Sequence, residues 1–248
     1  MKKFLVYLPS ILLLVILFFI WEAIVDVFNI NSQVLPAPSA IFSAYIGHAT
    51  ILIPHIMTTL IETLLGLICA IVLGVFTAIL LRLSATVRKA LYPLLIISQT
   101  IPIIALAPLL LIWFGFTILP KVIIVTLVCF FPITVAFADG MEKVSQQIIT
   151  LLQSMKASRL QILFLAELPG ALPSFFSGLR IAAAYSVTGA IVGEYVGGYQ
   201  GLGIYMQNAA HSYAVVLVFV VIIITSLLSI LLFGAIVLLE KIFVPWRN

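Results

Sequence analysis

Six long apolar runs dominate the chain and limit its fold more than any short motif. They fall at about 4–26, 60–81, 91–114, 119–138, 171–196 and 214–239, the first reading FLVYLPSILLLVILFFIWEAI. A helix needs about 20 apolar residues to cross a bilayer, so each run is expected to span. Only 8% of the 248 residues are charged, against roughly 25% in a soluble domain. That is too few to cover a water-facing surface, and lipid must be the main solvent. The first run has a long apolar core with no small-residue cleavage site after it, so it is expected to stay as an uncleaved anchor.

The basic residues orient the runs. With a cytoplasmic N-terminus, the inner ends carry Lys2, Lys3, Arg82, Arg88, Lys89, Lys143, Lys156, Arg159, Lys241 and Arg247. Arg180 lies in the inner half of the fifth run and can snorkel inward. Lys121 alone falls outside. This positive-inside asymmetry predicts an all-α membrane protein with six transmembrane helices and both termini cytoplasmic, in one domain over 1–248. The net charge of +4 does not suggest nucleic acid. Cys69 and Cys129 sit inside apolar runs and read as small buried hydrophobes; the three histidines have no metal-ligand spacing.

One polar segment, 144–169, lies between the fourth and fifth runs. Val144–Leu165 reads as helix, with Gln147, Thr150, Ser154, Ser158 and Gln161 recurring on one face. Pro169 and Pro173 then redirect the chain. On composition alone it is an amphipathic helix resting on the membrane surface.

The wording around it resembles a family. ASRLQILFLAELPGALPSFFSGLRIA, LPAPSAIF, HIMTTLIETLLGLICAIVLG, IPIIALAPLLLIWFGF and GEYVGGYQGLG look like the nitrate/sulfonate/taurine branch of ABC importer inner-membrane permeases, in the same order along nearly the whole chain. The family's cytoplasmic signature is Glu-Ala-Ala, three residues, Gly, nine residues, Ile, one residue, Leu-Pro. Its frame falls here on Thr150-Leu151-Leu152, Lys156, Ala166 and Leu168-Pro169, with Lys156 in place of the glycine that permits a sharp bend. The resemblance implies the type I importer permease fold, with a cytoplasmic coupling helix between the fourth and fifth spans. It implies that Gln153, Ser154, Met155, Lys156, Ala157, Ser158, Arg159 and Leu160 contact an ATPase subunit. Lys156 and Arg159 can pair with acids there or simply be solvated. The chain has no G-x-x-x-x-G-K-[ST], so ATP belongs to that separate subunit, present in two copies. No cofactor, metal or catalytic residue is expected in this chain. The other implied partners are a second copy of the permease and an extracytoplasmic solute-binding protein, and the location is a bacterial cytoplasmic membrane.

Within the spans, Gly178, Ala182, Ser186, Gly189, Gly193 and Gly197 form a small face on the fifth run. It suits close helix packing, or a translocation path or contact with a second permease. The third run carries Pro93, Pro102 and Pro108 around SQTIP, predicting a kink that is static or gate-like. Gln99 and Thr100 either line the path or satisfy that kink. The acids Glu22, Asp26, Glu62 and Glu194 are each expected to be solvated at the outer interface or bonded within their helix, Glu194 being the one most suited to function. No interior Lys or Arg is expected at mid-membrane. The outer GGYQGLGIYMQNAAHSY should turn back sharply, with Tyr199, Tyr205, His211 and Tyr213 as interfacial anchors.

Sulfonates, taurine and nitrate fit the branch as solutes, and thiamine-precursor pyrimidines and riboflavin stay open. The alternative is a self-sufficient secondary transporter coupling protons through Glu62 or Glu194. A membrane enzyme is disfavoured, because no paired carboxylates, histidine-rich metal set or activated nucleophile occurs in the spans.

Overall fold

The computed structural model describes residues 2–245, and residues 2–7 and 10 by backbone alone. The Lys2, Lys3 and Arg247 side chains therefore lie outside the described residues. All regular structure among the described residues is helical. In order these are α1 (Lys2–Val27), α2 (Pro38–Leu83), α3 (Ala85–Thr100), α4 (Ile103–Phe114) and α5 (Leu119–Glu142). They continue with α6 (Gln146–Ser154), α7 (Arg159–Ile162), a π turn (Leu163–Glu167), α8 (Leu168–Gly197), α9 (Leu202–His211) and α10 (Val215–Phe243).

Four of these are long and apolar enough to cross a membrane: α2, α5, the continuous run Arg159–Gly197, and α10. The pair α3–α4 makes a fifth if it counts as one span. α1 is a helix of 26 residues whose large side chains from Ile11 to Ile20 are exposed.

Three elements differ from the expectation. The second span is the end of a 46-residue helix, about 69 Å long at 1.5 Å per residue, so its first turns reach well past the roughly 30 Å hydrocarbon layer. Its start is anchored by Glu22 of α1, whose carboxylate accepts from the Ser39 N–H at 3.1 Å and its hydroxyl at 2.5 Å. An acid there satisfies orphan N–H groups and complements the helix dipole, so Glu22 is bonded to α2 rather than merely solvated.

The third span is not a kinked helix but two helices at 97°. The break falls at Ile101–Pro102, where Ile101 is extended (φ −76°, ψ 121°). Proline lacks the N–H to continue the ladder, and its ring pushes the preceding residue out of the helical region. Pro93 and Pro108 stay inside their helices. The third difference is α9, a helix within the outer stretch expected only to turn back.

The core is a three-helix layer with α5 in the middle. α2 runs parallel to α5: Gly66 meets Val125, and Gly74 meets Ile133 and Thr134. α8 runs antiparallel on the other flank, with Gly178 at Pro132, Gly189 at Val125 and Gly193 at Lys121. From Gly178 to Gly193 the small face of α8 is thus covered by α5 of the same chain, and Gly197 meets Leu111 of α4. At Gly178 a Cβ would lie 2.5 Å from the Pro132 carbonyl oxygen and 2.6 Å from the Ala136 Cβ. Small residues let the backbones approach this closely. Cys129 is buried in the layer and its thiol donates to the Ala182 carbonyl at 3.3 Å, whereas Cys69 is exposed.

Ion pairs fasten the basic end of the bundle. Arg82 on α2 pairs with Glu167 in the π turn, and Arg88 on α3 pairs with Glu142 on α5. Arg180 does not snorkel free: it pairs with Glu240 on α10 at 3.5 Å.

Gly178→Leu should force α8 off α5 and cost about 1–3 kcal/mol by overpacking. A Cβ added at Gly234 on α10 would meet nothing within 4 Å, so Gly234→Leu is the control. Thermal melting in detergent should show a lower Tm for Gly178→Leu and an unchanged one for Gly234→Leu; equal melting temperatures would refute the close approach.

Candidate functional site

Two groups of residues are held in built geometries, one at each end of the bundle. At the basic end, the segment expected to be one helix over Val144–Leu165 is broken. α6 ends at Ser154 in a Schellman turn: Ala157 N–H donates to the Leu152 carbonyl at 3.0 Å and Lys156 N–H to that of Gln153 at 2.9 Å. Lys156 occupies the left-handed position, φ +60°, that usually belongs to glycine. The bend is therefore as sharp as a glycine would allow, but made by a residue that bears steric strain there.

α7 restarts at once. Ser158 accepts from the Gln161 N–H at 3.3 Å, and the Gln161 side chain accepts from the Ser158 N–H at 2.7 Å. This reciprocal capping box satisfies two donors at a helix start. Ser158 and Gln161 thus cap the second helix, and do not continue the polar face of Gln147, Thr150 and Ser154.

The turn brings Gln153, Ser154, Met155, Lys156, Ala157, Ser158, Arg159 and Leu160 together as one projection. Ile149 and Ile162 point inward and are buried, while Met155 is 71% exposed and Leu160 55%. Leu151 and Phe164 add exposed apolar surface that sequence reasoning missed. Their signal was an apolar residue on the helix side opposite Ile149. Also missed was Glu167, whose pairing with Arg82 ties the segment's base to α2.

At the opposite end two acids, Glu62 and Glu194, are buried. Glu194 is fully buried and accepts from Thr59 Oγ1 at 2.6 Å and from the Gly203 N–H at 2.6 Å. Thr59 Oγ1 in turn accepts from the Leu202 N–H at 2.9 Å. His55 Nδ1 lies within 3.0 Å of the Gly201 N–H. Gly201 has φ +130°, and a Cβ there would overlap the Glu194 carboxylate, so the position needs glycine. Together these contacts pin the start of α9 onto α2 and α8.

Beside this latch, Lys121 Nζ donates to Glu62 Oε1 at 2.8 Å, and both residues are buried. Lys121 is thus neither an outer surface charge nor absent from the interior, and Glu62 is not solvated. Its partner lies 59 residues away, on α5. The two helices lie close here, because Gly66, one turn along α2 from Glu62, meets Val125 and the Val122 carbonyl of α5. Charges taken out of water persist when paired; here the pair cross-links α2 and α5.

The remaining expected path residues do not form one lining. Ser186, buried with Gly189 and Gly193, donates its hydroxyl to the Ala183 carbonyl at 2.8 Å. Thr100 donates to the Ile97 carbonyl at 2.8 Å, within its own helix. Gln99 lines a cavity of about 360 Å³ beside the α3–α4 break, with Thr77, Ser98, Leu127 and Phe130. Among the described residues no cluster of three or more His, Cys, Asp and Glu could hold a metal.

Substitutions at the ion pair and at the turn probe these geometries. Lys121→Met leaves Glu62 buried without its counterion and should cost about 3–5 kcal/mol. Adding Glu62→Gln should restore most of that in thermal melts, and a single variant as stable as the parent would refute the pair. Lys156→Gly removes left-handed strain of about 1–2 kcal/mol but adds chain entropy to the unfolded state, worth about 0.5–1 kcal/mol in the opposite direction. A net rise in stability is expected on denaturation, and a loss would show that Lys156 makes contacts worth more than the strain.

The chain has relatives among known proteins along its whole length. The family model described as "Binding-protein-dependent transport system inner membrane component" matches residues 70–243. A formylaminopyrimidine transport permease protein of Halalkalibacterium halodurans is 39% identical over 249 residues, covering 100% of this chain and 99% of that one. A riboflavin transport system permease protein of Chloroflexus aurantiacus is 32% identical over 97% of this chain and 90% of its own length. A taurine transport system permease protein of Escherichia coli is 30% identical over 96% and 90%. Among solved structures, a chain of the inward-facing MetNI methionine ABC transporter superposes with a TM-score of 0.62 at 20% identity, covering 77% of this chain and 98% of that one; it speaks for the fold. The chain belongs to the inner-membrane permease family of binding-protein-dependent ABC transport systems.

Proposed function

We propose that this chain is the membrane-spanning permease subunit of an ATP-driven, binding-protein-dependent importer of a small solute in a bacterial cytoplasmic membrane. It crosses six times with both termini cytoplasmic, α1 being the first crossing and α3–α4 together the third. Two copies form the translocation path. Each receives the movement of a separate ATPase subunit, which holds the ATP, through the α6–α7 turn. An extracytoplasmic binding protein delivers the solute to the opposite face, where α9 lies.

The observation that carries this reading is the α6–α7 turn itself. It is a short, capped helix-turn-helix that projects Met155 and Leu160 away from the bundle and is tied at its base to α2 by Arg82 and Glu167. Apolar side chains displayed on a rigid projection call for a protein partner. A self-sufficient secondary transporter has no use for such a handle.

For the solute, the end-to-end similarity to a formylaminopyrimidine permease favours a thiamine-precursor pyrimidine or similar heterocycle. Riboflavin, taurine, sulfonates and nitrate follow from the other relatives.

The test is reconstitution of the chain with its neighbouring ATPase and binding protein in liposomes. Uptake of a formylated aminopyrimidine should require both partners and ATP. Uptake by this chain alone without ATP would instead identify a secondary transporter.

A further inference from the structure

Beneath the α6–α7 turn lies a cavity of about 310 Å³, lined by the end of α2 with Arg82 and the first residue of α3 on one side, Ile149 and Gln153 of α6, Arg159 and Ile162 of α7, and Glu167 of the π turn. Its polar side chains are unequally used. Arg82 gives one arm of its guanidinium to Glu167, and a guanidinium has five N–H donors. Arg159 is exposed, and its side chain has no hydrogen bond or ion pair among the described residues. Two guanidinium groups and one amide thus face a cavity that contains a single carboxylate. From Lys143 to Ala166 the sequence holds Lys143, Lys156 and Arg159 and no acid, so the segment offers no internal counterion for Arg159.

We propose that this cavity is a socket for a carboxylate side chain, an Asp or Glu of the ATPase subunit, gripped by Arg159 and Arg82. The inference rests on the function proposed above and adds a defined contact to it. The planar guanidinium fork matches a carboxylate bidentately. The occupant is a protein side chain because Met155 and Leu160, on the same turn, are 71% and 55% exposed; a partner that covers them also closes the socket, which a free anion would not do. The consequence is mechanical. A carboxylate seated there touches α7, the end of α2 and the π turn that continues into α8. A pull on the ATPase side then reaches two core helices directly, and not only through the projecting turn.

The experiment measures binding of the purified ATPase subunit to the full-length permease in nanodiscs, with ATPase activity of the assembled complex as a second readout. Losing one charge-assisted contact should weaken binding roughly tenfold or more for Arg159→Ala. Arg159→Glu should weaken it further, and Arg159→Lys should fall between alanine and the parent. The parent's affinity should drop with added salt more steeply than that of Arg159→Ala. Since Arg159 is exposed, all three variants should melt at the parent temperature. A Lys substitution at one acidic position of the ATPase should restore binding to Arg159→Glu.

Parent-like affinity and salt dependence in Arg159→Glu would overturn the socket while leaving the importer reading intact. Displacement of the ATPase by millimolar phosphate or sulfate, with affinity otherwise insensitive to Arg159, would identify a free-anion site instead. Failure of the parent itself to bind the ATPase would overturn the importer reading and the socket with it.

Discussion

The close approach of three helix backbones is the constraint on which the rest depends. In lipid there is no hydrophobic drive between helices, because the alternative neighbour is equally apolar. Association must come from contact area, and contact area from backbones that come near one another. α5 supplies the middle of the layer, and glycines of α2 and α8 supply the nearness, at Gly66 and Gly74 on one flank and Gly178, Gly189 and Gly193 on the other. α3, α4 and α1 pack more loosely, and many of their described large apolar side chains are exposed, Leu95, Leu110 and Leu111 being buried.

That layer makes the polar chemistry at both ends possible. At one end it brings Lys121 to Glu62 and seats Glu194 under the start of α9. At the other it sets Glu167 against Arg82 and Glu142 against Arg88. Each pair joins residues from different helices, so each resists a different relative motion. The Glu194 latch holds α9 to α2 and α8; Arg82–Glu167 holds the base of the α6–α7 projection to α2, and Arg88–Glu142 holds α3 to α5. The projection is therefore joined to α2 and α8, two of the helices that also carry the latch. This is the arrangement a permease needs if force applied on one side is to alter access on the other, although an interface able to occupy two arrangements must supply the switch.

Much of the fold was legible from residue pattern. Apolar length located α2, α5, α8 and α10 as helices long enough to cross a membrane, and the proline-ended polar segment located the projection. Other features were not legible, for definite reasons. The pattern Val144–Leu165 is helical by periodicity throughout, but the break at Lys156 is a left-handed residue, and lysine gives no sign of one. Pro102 announced a disturbance without revealing that the chain would turn by 97°. Lys121 looked like a surface charge because its counterion is 59 residues away, beyond any local spacing rule. Cys69 and Cys129 both sit in apolar runs, and only packing placed one in the core and the other on the surface.

The sequence by itself determined the solvent, the helical class and the position of the polar handle, because these follow from the chain's local apolar lengths and charges. Only the tertiary structure decided which face of α8 meets α5, which acid meets which base, and that Arg82, Arg159 and Glu167 share one cavity. Those outcomes depend on helices that are distant in sequence lying within a few ångströms of each other, and no local pattern encodes that distance.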